Sequence, residues 1–333
     1  MKKILIFGYF GEGNFGDDLI FDALKKIFSN NFIIGVFSKK NYYKDVINFE
    51  RYNIKSIIEA INWSDIVIGG GGGVLQDKTS FKSLLYYIFI IWFSVLTGKR
   101  VYIIGQSFST FKYKISRFLV SKTLKKCEKI YVRDRFSLSL LNYMGINNKK
   151  LKYIPDLVFL IDIPNISYEK KYLGINFRSW KNLKPKNLEN ILEFLKKEGD
   201  LLFFSFQDST DLEFFNNFSK DIIKDIKIIS TKDEEFWNYF LSCKYFIGMR
   251  LHSLILATIS GIPFLGLSYD DKIDAFVYDL GWKYLLSISK LDNFESLWKQ
   301  LKEEQGLENY LRFKSYELKE KLLNEIENLK NEL

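Results

Sequence analysis

The chain has 333 residues and 47% apolar content, which suits two domains of ordinary size and excludes a disordered protein. Its formal charge of +9 is compatible with acidic partners, but the basic residues read as scattered, the longest patches being Lys39-Lys40, Lys125-Lys126 and Lys170-Lys171. A solvated, mildly basic surface is therefore expected, and no Arg-rich arm, zinc-finger spacing or aromatic RNA-binding signature points to nucleic acid. Cys127 and Cys243 are lone and distant, and there is a single histidine, so neither a disulfide framework nor a structural zinc site is expected, and a cytosolic setting is.

The elements alternate in chain order. The apolar run after Met1-Lys2-Lys3 reads as a strand over 4–9 and not as a leader, because Gly8, Gly11, Gly13 and Gly16 follow at once. A helix over 17–28 and strands over 32–37, 65–68, 101–104 and 130–132 come next. Between two of them lies the most apolar stretch, 84–96, shorter than the roughly 20 residues that span a bilayer. It is read as a buried helix, with a membrane-surface helix as the alternative because Lys82, Lys99 and Arg100 flank it. A break over 155–164 carries two of the four prolines. Strands then restart over 171–176, 200–205, 226–229, 245–248 and 263–267. Such alternation predicts α/β architecture with parallel sheets. The expected domains are an N-terminal lobe over 1–160, a C-terminal lobe over 161–290 and a helical segment over 291–333, whose amphipathic end is a terminal helix packed across the lobes.

The sharpest chemistry lies in 245–274. A strand ends at Gly248, a helix is predicted over 253–260 with Gly261 to stop it, and the next strand leads to Tyr269, Asp270, Asp271 and Lys272. Ligands of open α/β sheets bind outside the carboxyl ends of the strands. Arg250 with His252, and Lys272, therefore make two cationic turns beside helix N-termini, a site for phosphate or carboxylate. His252 beside a bound phosphate has the acidity of a proton donor near neutral pH. In the N-terminal half, Gly11, Gly13 and Gly16 match a dinucleotide fingerprint, but Glu12, Asp17 and Asp18 would crowd a pyrophosphate and no ribose-binding acid ends the second strand, at Ser38-Lys39-Lys40. The turn is read as presenting Asn14 and Asp17 to a sugar or as capping a helix. Five glycines over 69–73 forfeit chain entropy, as expected where backbone amides approach a ligand.

The segments GYFGEGNFGDD, GGGGVLQDKTS, YIIGQS, VRDRFS, FSFQDSTD, GMRLHS and SYDDK, in this order, resemble the successive motifs of the polysaccharide pyruvyl transferase family. The similarity is greatest to CsaB-type ketal pyruvyltransferases of secondary cell-wall polymers. It implies a GT-B-like fold of two Rossmann-like lobes facing a cleft, with a C-terminal helix. It implies transfer of the pyruvyl group of phosphoenolpyruvate to a sugar, N-acetylmannosamine on a lipid-linked precursor, giving a cyclic ketal and phosphate at the inner face of the cytoplasmic membrane. It assigns catalysis to Arg133, His252 and Lys272, and substrate contacts to Gly248, Arg250 and Ser253. Gly71, Gly72, Gln76, Asp77, Asn14 and Asp17 are the acceptor-side candidates, a carboxylate among them serving to deprotonate the sugar. Asp271 departs from the family pattern, in which proline often precedes the lysine. No cofactor and no metal are expected, since Arg and Lys suffice to hold the donor. Two rivals stand beside this reading: a GT-B glycosyltransferase using a nucleotide sugar, and a non-catalytic sugar-binding scaffold.

Overall fold

The computed structural model describes residues 1–38, 42–164, 168–181 and 183–333, so the expected Lys39-Lys40 patch lies outside the described residues. The chain divides into two compact units, 1–161 with 320–333, and 162–319. The segment 291–333 is thus shared between both units.

The N-terminal unit contains β1 (Lys2–Phe7), α1 (Phe15–Phe28), β2 (Phe32–Ser38), β3 (Ile47–Glu50), α2 (Ile54–Trp63), β4 (Ile66–Gly70), α3 (Phe81–Leu96), β5 (Arg100–Gln106), α4 (Lys114–Leu124), β6 (Lys129–Val132), α5 (Arg135–Tyr143) and β7 (Leu151–Tyr153). Its seven strands are all parallel, in the order β3-β2-β1-β4-β5-β6-β7. The central strands are covered on both faces, which is why they read as continuous apolar runs such as ILIF and IVI.

The C-terminal unit contains β8 (Tyr172–Asn176), α6 (Lys186–Glu198), β9 (Leu201–Ser205), α7 (Asp208–Asn216), α8 (Lys220–Ile223), β10 (Lys227–Ser230), α9 (Phe236–Leu241), β11 (Cys243–Gly248), α10 (Leu251–Ile259), β12 (Phe264–Ser268), α11 (Asp271–Leu280), β13 (Leu285–Ser287) and α12 (Phe294–Glu303). Its strands are again parallel, ordered β10-β9-β8-β11-β12-β13. The phenylalanine-rich composition is used here: Phe204 lies 5.4–5.8 Å, centroid to centroid, from Phe236, Phe240 and Phe246. Each such ring, fully buried, contributes about 1.5–3 kcal/mol. The last helix, α13 (Leu307–Glu332), begins in this unit and ends in the other, where Leu322, Ile326 and Leu329 are buried.

Both sheets place their first strand in the interior, with the second strand on one side and a later strand on the other. The chain reverses direction across the sheet between β1 and β4, and again between β8 and β11. Loops leaving the carboxyl ends on either side of such a switch point diverge and leave a crevice.

Candidate active site

In the C-terminal unit the switch point is built from the ends of β8, β11 and β12. Arg250 is the N-cap residue of α10, so this helix starts earlier than the sequence suggests and His252 stands in its first turn, half-buried. Gly261 follows its end. Gly248 and Ser253 serve packing. A Cβ at Gly248 would lie 2.7 Å from Ser253 Oγ, and the fully buried Ser253 hydroxyl donates to the Arg250 carbonyl at 2.7 Å. Arg250 is likewise engaged inside the fold. Its Nε donates to Asp211 Oδ2 at 2.7 Å and its Nη2 to Thr210 Oγ1 at 2.8 Å, while the Asp211 carboxylate is wholly buried. Asp211 also accepts from the amides of Phe206 and Gln207, and Asn176 Oδ1 accepts from the Arg250 amide at 3.0 Å. This network ties the ends of β8, β9 and β11 together, and Arg250 stands beside the crevice with its charge already balanced.

Two further cations, Lys272 and Arg178, stand at this crevice. Lys272 follows Asp270, which caps α11 by accepting from the Lys272 amide at 3.2 Å. Asp271 is the first residue of this helix, the position that favours proline and, through the helix dipole, an acid. Arg178, two residues beyond β8, donates from Nη1 to the Tyr269 hydroxyl at 3.1 Å. Its guanidinium carbon lies 5.3 Å from the centroid of the Tyr269 ring, and Lys272 Nζ lies 5.7 Å from it. Trp180 packs on the same ring, with centroids 4.7 Å apart. Among the described residues neither Arg178 nor Lys272 has a carboxylate in ion-pair range, and Arg178 Nε is buried without an acceptor. Such an orphan donor costs about 1–3 kcal/mol, which an incoming anion would offset. Burial pushes the Tyr269 phenol up, but Lys272, Arg178 and Arg250 together bring it below the ordinary tyrosine value. Since its oxygen accepts from Arg178, its own proton is free to be donated to an anion. Sequence reasoning missed Arg178 and Tyr269. The available signal was an Arg just past the first strand of the second unit, where a switch point falls.

In the N-terminal unit the glycine turns of β1 and β4 meet. Gly71 and Gly72 have φ of +47° and +71°, and a Cβ on Gly72 would come within 2.8 Å of Asp17 Oδ1. The run is held from below by Gln106, whose Nε2 donates to the Gly71 carbonyl at 2.6 Å and whose Oε1 accepts from the Val74 amide at 3.2 Å. The Arg133 amide in turn donates to the Gln106 carbonyl, and Arg133 Nη1 pairs with Asp156 at 2.8 Å, both side chains being buried. The structure thus brings Asp17, Gly71 and Gly72 together and links them through Gln106 to Arg133. Asn14 is the N-cap residue of α1, with its side-chain amide making no cap bond.

Two acceptor-side candidates are engaged elsewhere. Gln76 Oε1 closes its own turn by accepting from the Lys78 and Thr79 amides. Both oxygens of Asp77 accept from the Lys112 and Tyr113 amides, at 2.8 and 2.9 Å. Burial alone would push the Asp77 carboxyl up, yet these donors with Ser116 bring it below its ordinary value, unlike a base poised to take a sugar proton. The dinucleotide-like turn is also filled from within, because Asp18 Oδ1 accepts from the Gly11 amide at 2.7 Å and from the Tyr43 hydroxyl.

These paired switch-point sheets have known counterparts. The chain superposes on the Anabaena HepE complex with UDP-glucose at a TM-score of 0.69 and 9% identity, covering 100% of both chains. The Staphylococcus aureus MnaA–UDP structure gives 0.62 and 14% over 100% of this chain and 98% of that one. The Neisseria meningitidis UDP-GlcNAc 2-epimerase bound to UDP-GlcNAc gives 0.61 and 13% over 97% and 100%. The class is therefore a GT-B-like α/β protein of two parallel-sheet lobes with a C-terminal helix. No curated protein matches the chain in sequence. A family model described as polysaccharide pyruvyl transferase matches residues 14–271, and the chain belongs to that family and is a transferase.

Proposed function

We propose that the protein transfers the pyruvyl group of phosphoenolpyruvate to two hydroxyls of one sugar, with the crevice of the C-terminal unit as the donor site and the glycine turns of the N-terminal unit as the acceptor side. The observation that carries this reading is the pair of cations Arg178 and Lys272 around Tyr269, uncompensated among the described residues and carried past the ends of β8 and β12, the two neighbours of the strand β11 that leads to the helix-borne His252. Phosphoenolpyruvate presents a phosphate and a carboxylate, and this set offers charge and a hydroxyl proton to them. His252 protonates the methylene carbon, C2 becomes electrophilic and a sugar hydroxyl adds to it; the bond from C2 to the phosphate oxygen then breaks, and the phosphate leaves with that hydroxyl's proton. The second hydroxyl closes the ketal and its proton restores the acid. Arg250, anchored by Asp211, fixes the start of the helix that carries His252, and Arg133, fixed by Asp156, is the required basic residue of the N-terminal unit. Asn14, at the N-cap of α1, and Asp17, beside Gly72, contact the acceptor, for which N-acetylmannosamine on a lipid-linked precursor is the assignment that the motif resemblance supports.

The structural neighbours are complexes with UDP or UDP-sugars, which favours nucleotide-sugar transfer as the second reading. Incubation with phosphoenolpyruvate or with UDP-sugars, each with a sugar acceptor, separates the two. Acceptor-dependent phosphate release is expected. Release of UDP instead would replace the proposal by the second reading.

A further inference from the structure

The net charge of +9 is not spread over the chain. From Lys78 to Cys127 there are ten Lys or Arg residues and no Asp or Glu, whereas the remainder holds 39 basic and 40 acidic residues. One segment therefore accounts for the whole excess, in place of the scattered basic surface that the composition suggested. It comprises α3, β5 and α4, and the two helices pack against each other.

Helix α3 is not the buried helix that its hydropathy predicts. Leu84, Tyr87, Ile88 and Ile91 face the core, but the opposite stripe is apolar as well: Leu85 and Phe89 are 40% and 38% exposed and Leu96 is 76% exposed. Helix α4 adds Ile115 and Phe118, 53% and 60% exposed. Basic side chains are interleaved with these rings. Lys126 Nζ stands 4.7 Å from the Trp92 ring centroid, and Lys122 Nζ lies about equally far from Trp92 and Phe118, at 5.9 and 6.0 Å. Trp92 Nε1 donates to Thr123 Oγ1 at 2.8 Å and fixes the seam between the helices. The acids that bound the segment are Asp77, turned inward onto the Lys112 and Tyr113 amides, and Glu128. At 16 residues α3 is about 24 Å long, short of the roughly 30 Å hydrocarbon core, and no described helix is long and apolar enough to cross a membrane.

We propose that the outer face of α3 and α4 docks on the surface of an anionic phospholipid bilayer, its exposed leucine and phenylalanine side chains entering the headgroup boundary and its lysines meeting lipid phosphates. The occupant follows from charge complementarity together with apolar exposure. Nucleic acid would match the charge but leave Leu85 and Leu96 in water, and a zwitterionic surface would leave the charge unmatched. The proposal does not rest on the donor chemistry. Asp77 tethers the start of α4 directly after the β4 turn, so docking holds the glycine turns of the N-terminal unit near the membrane surface.

The test is co-sedimentation of the full chain with vesicles of phosphatidylcholine alone or with phosphatidylglycerol added, at fixed moderate salt. Binding is expected to the anionic vesicles and to fall on adding salt. At about 1 kcal/mol per basic residue at such a surface, the double variant Lys122→Ala/Lys126→Ala is expected to bind about thirtyfold more weakly, and Phe89→Ser/Phe118→Ser to lose binding as well. Thermal melts of each variant report folding, and phosphate release from phosphoenolpyruvate with a soluble acceptor reports the chemistry separately. No binding to anionic vesicles, equal binding by the folded variants, or preferential capture by single-stranded nucleic acid at the same salt would overturn the proposal.

Discussion

At the scale of single residues, the site is defined by which charges are already matched. Arg250 and Arg133 have buried carboxylate partners, whereas among the described residues Arg178 and Lys272 converge on Tyr269 without one. His252→Ala is expected to lower turnover by at least about a hundredfold, the usual span of general acid catalysis, measured as phosphate release at saturating donor. Tyr269→Phe removes one hydroxyl beside two cations, and a hydrogen bond to a charged group contributes about 1.5–3 kcal/mol. The donor KM is then expected to rise about tenfold or more with a smaller change in kcat, and an unchanged KM would remove Tyr269 from the site. His252 and Lys272 were legible because they sit inside ordered motifs. The neutralisation of Arg250 was not, since Asp211 lies 39 positions earlier and only the fold sets them together. Asp77 makes a pH prediction. Its folded-state carboxyl lies below the ordinary value, so the stability it contributes is complete above the ordinary carboxylate range and is lost as pH falls through the lower, folded value. Asp77→Asn is expected to lower stability at neutral pH and to flatten the acid limb of the denaturation midpoint against pH. A variant whose acid limb matches that of the parent would contradict this.

At the scale of elements, the buried parallel strands were readable as apolar runs, as was the edge strand β10, but the other three edge strands were not. Strands β3, β7 and β13, of 4, 3 and 3 residues, went unrecognised because short edge strands lack a continuous apolar signature. Arg51 was missed for a related reason, being a lone arginine just past β3. Its Nη2 reaches the carbonyl oxygens of Gly8 and Phe10 at 2.6 and 2.9 Å, and its side chain is buried. Arg51→Ala leaves these carbonyls unmatched at about 1–3 kcal/mol each, so a loss of at least about 2 kcal/mol is expected in urea denaturation. Gly72→Ala combines a left-handed backbone with a clash on Asp17, and is expected to weaken acceptor use more than donor binding. A matched loss in both would assign the glycine to folding alone.

At the scale of the whole molecule, two doubly wound units each present one switch-point site, a basic one on the C-terminal unit and a glycine-rich one on the N-terminal unit. The repeated alternation of elements foretold two α/β units, and the motif order foretold the family. Composition alone did not reveal that the positive excess is collected in the segment 78–127 or that α3 and α4 leave an apolar stripe exposed, because exposure is decided by which side of each helix the sheet covers. The most direct measurement of the central claim uses phosphoenolpyruvate labelled with carbon-13 at C2, incubated with the protein and N-acetylmannosamine derivatives and followed by NMR and mass spectrometry. The account predicts a new ketal carbon bonded to two sugar oxygens, a sugar heavier by one pyruvate less water, and an equal amount of phosphate. Label that remains in phosphoenolpyruvate or appears only as free pyruvate, with the sugar unmodified, would contradict it.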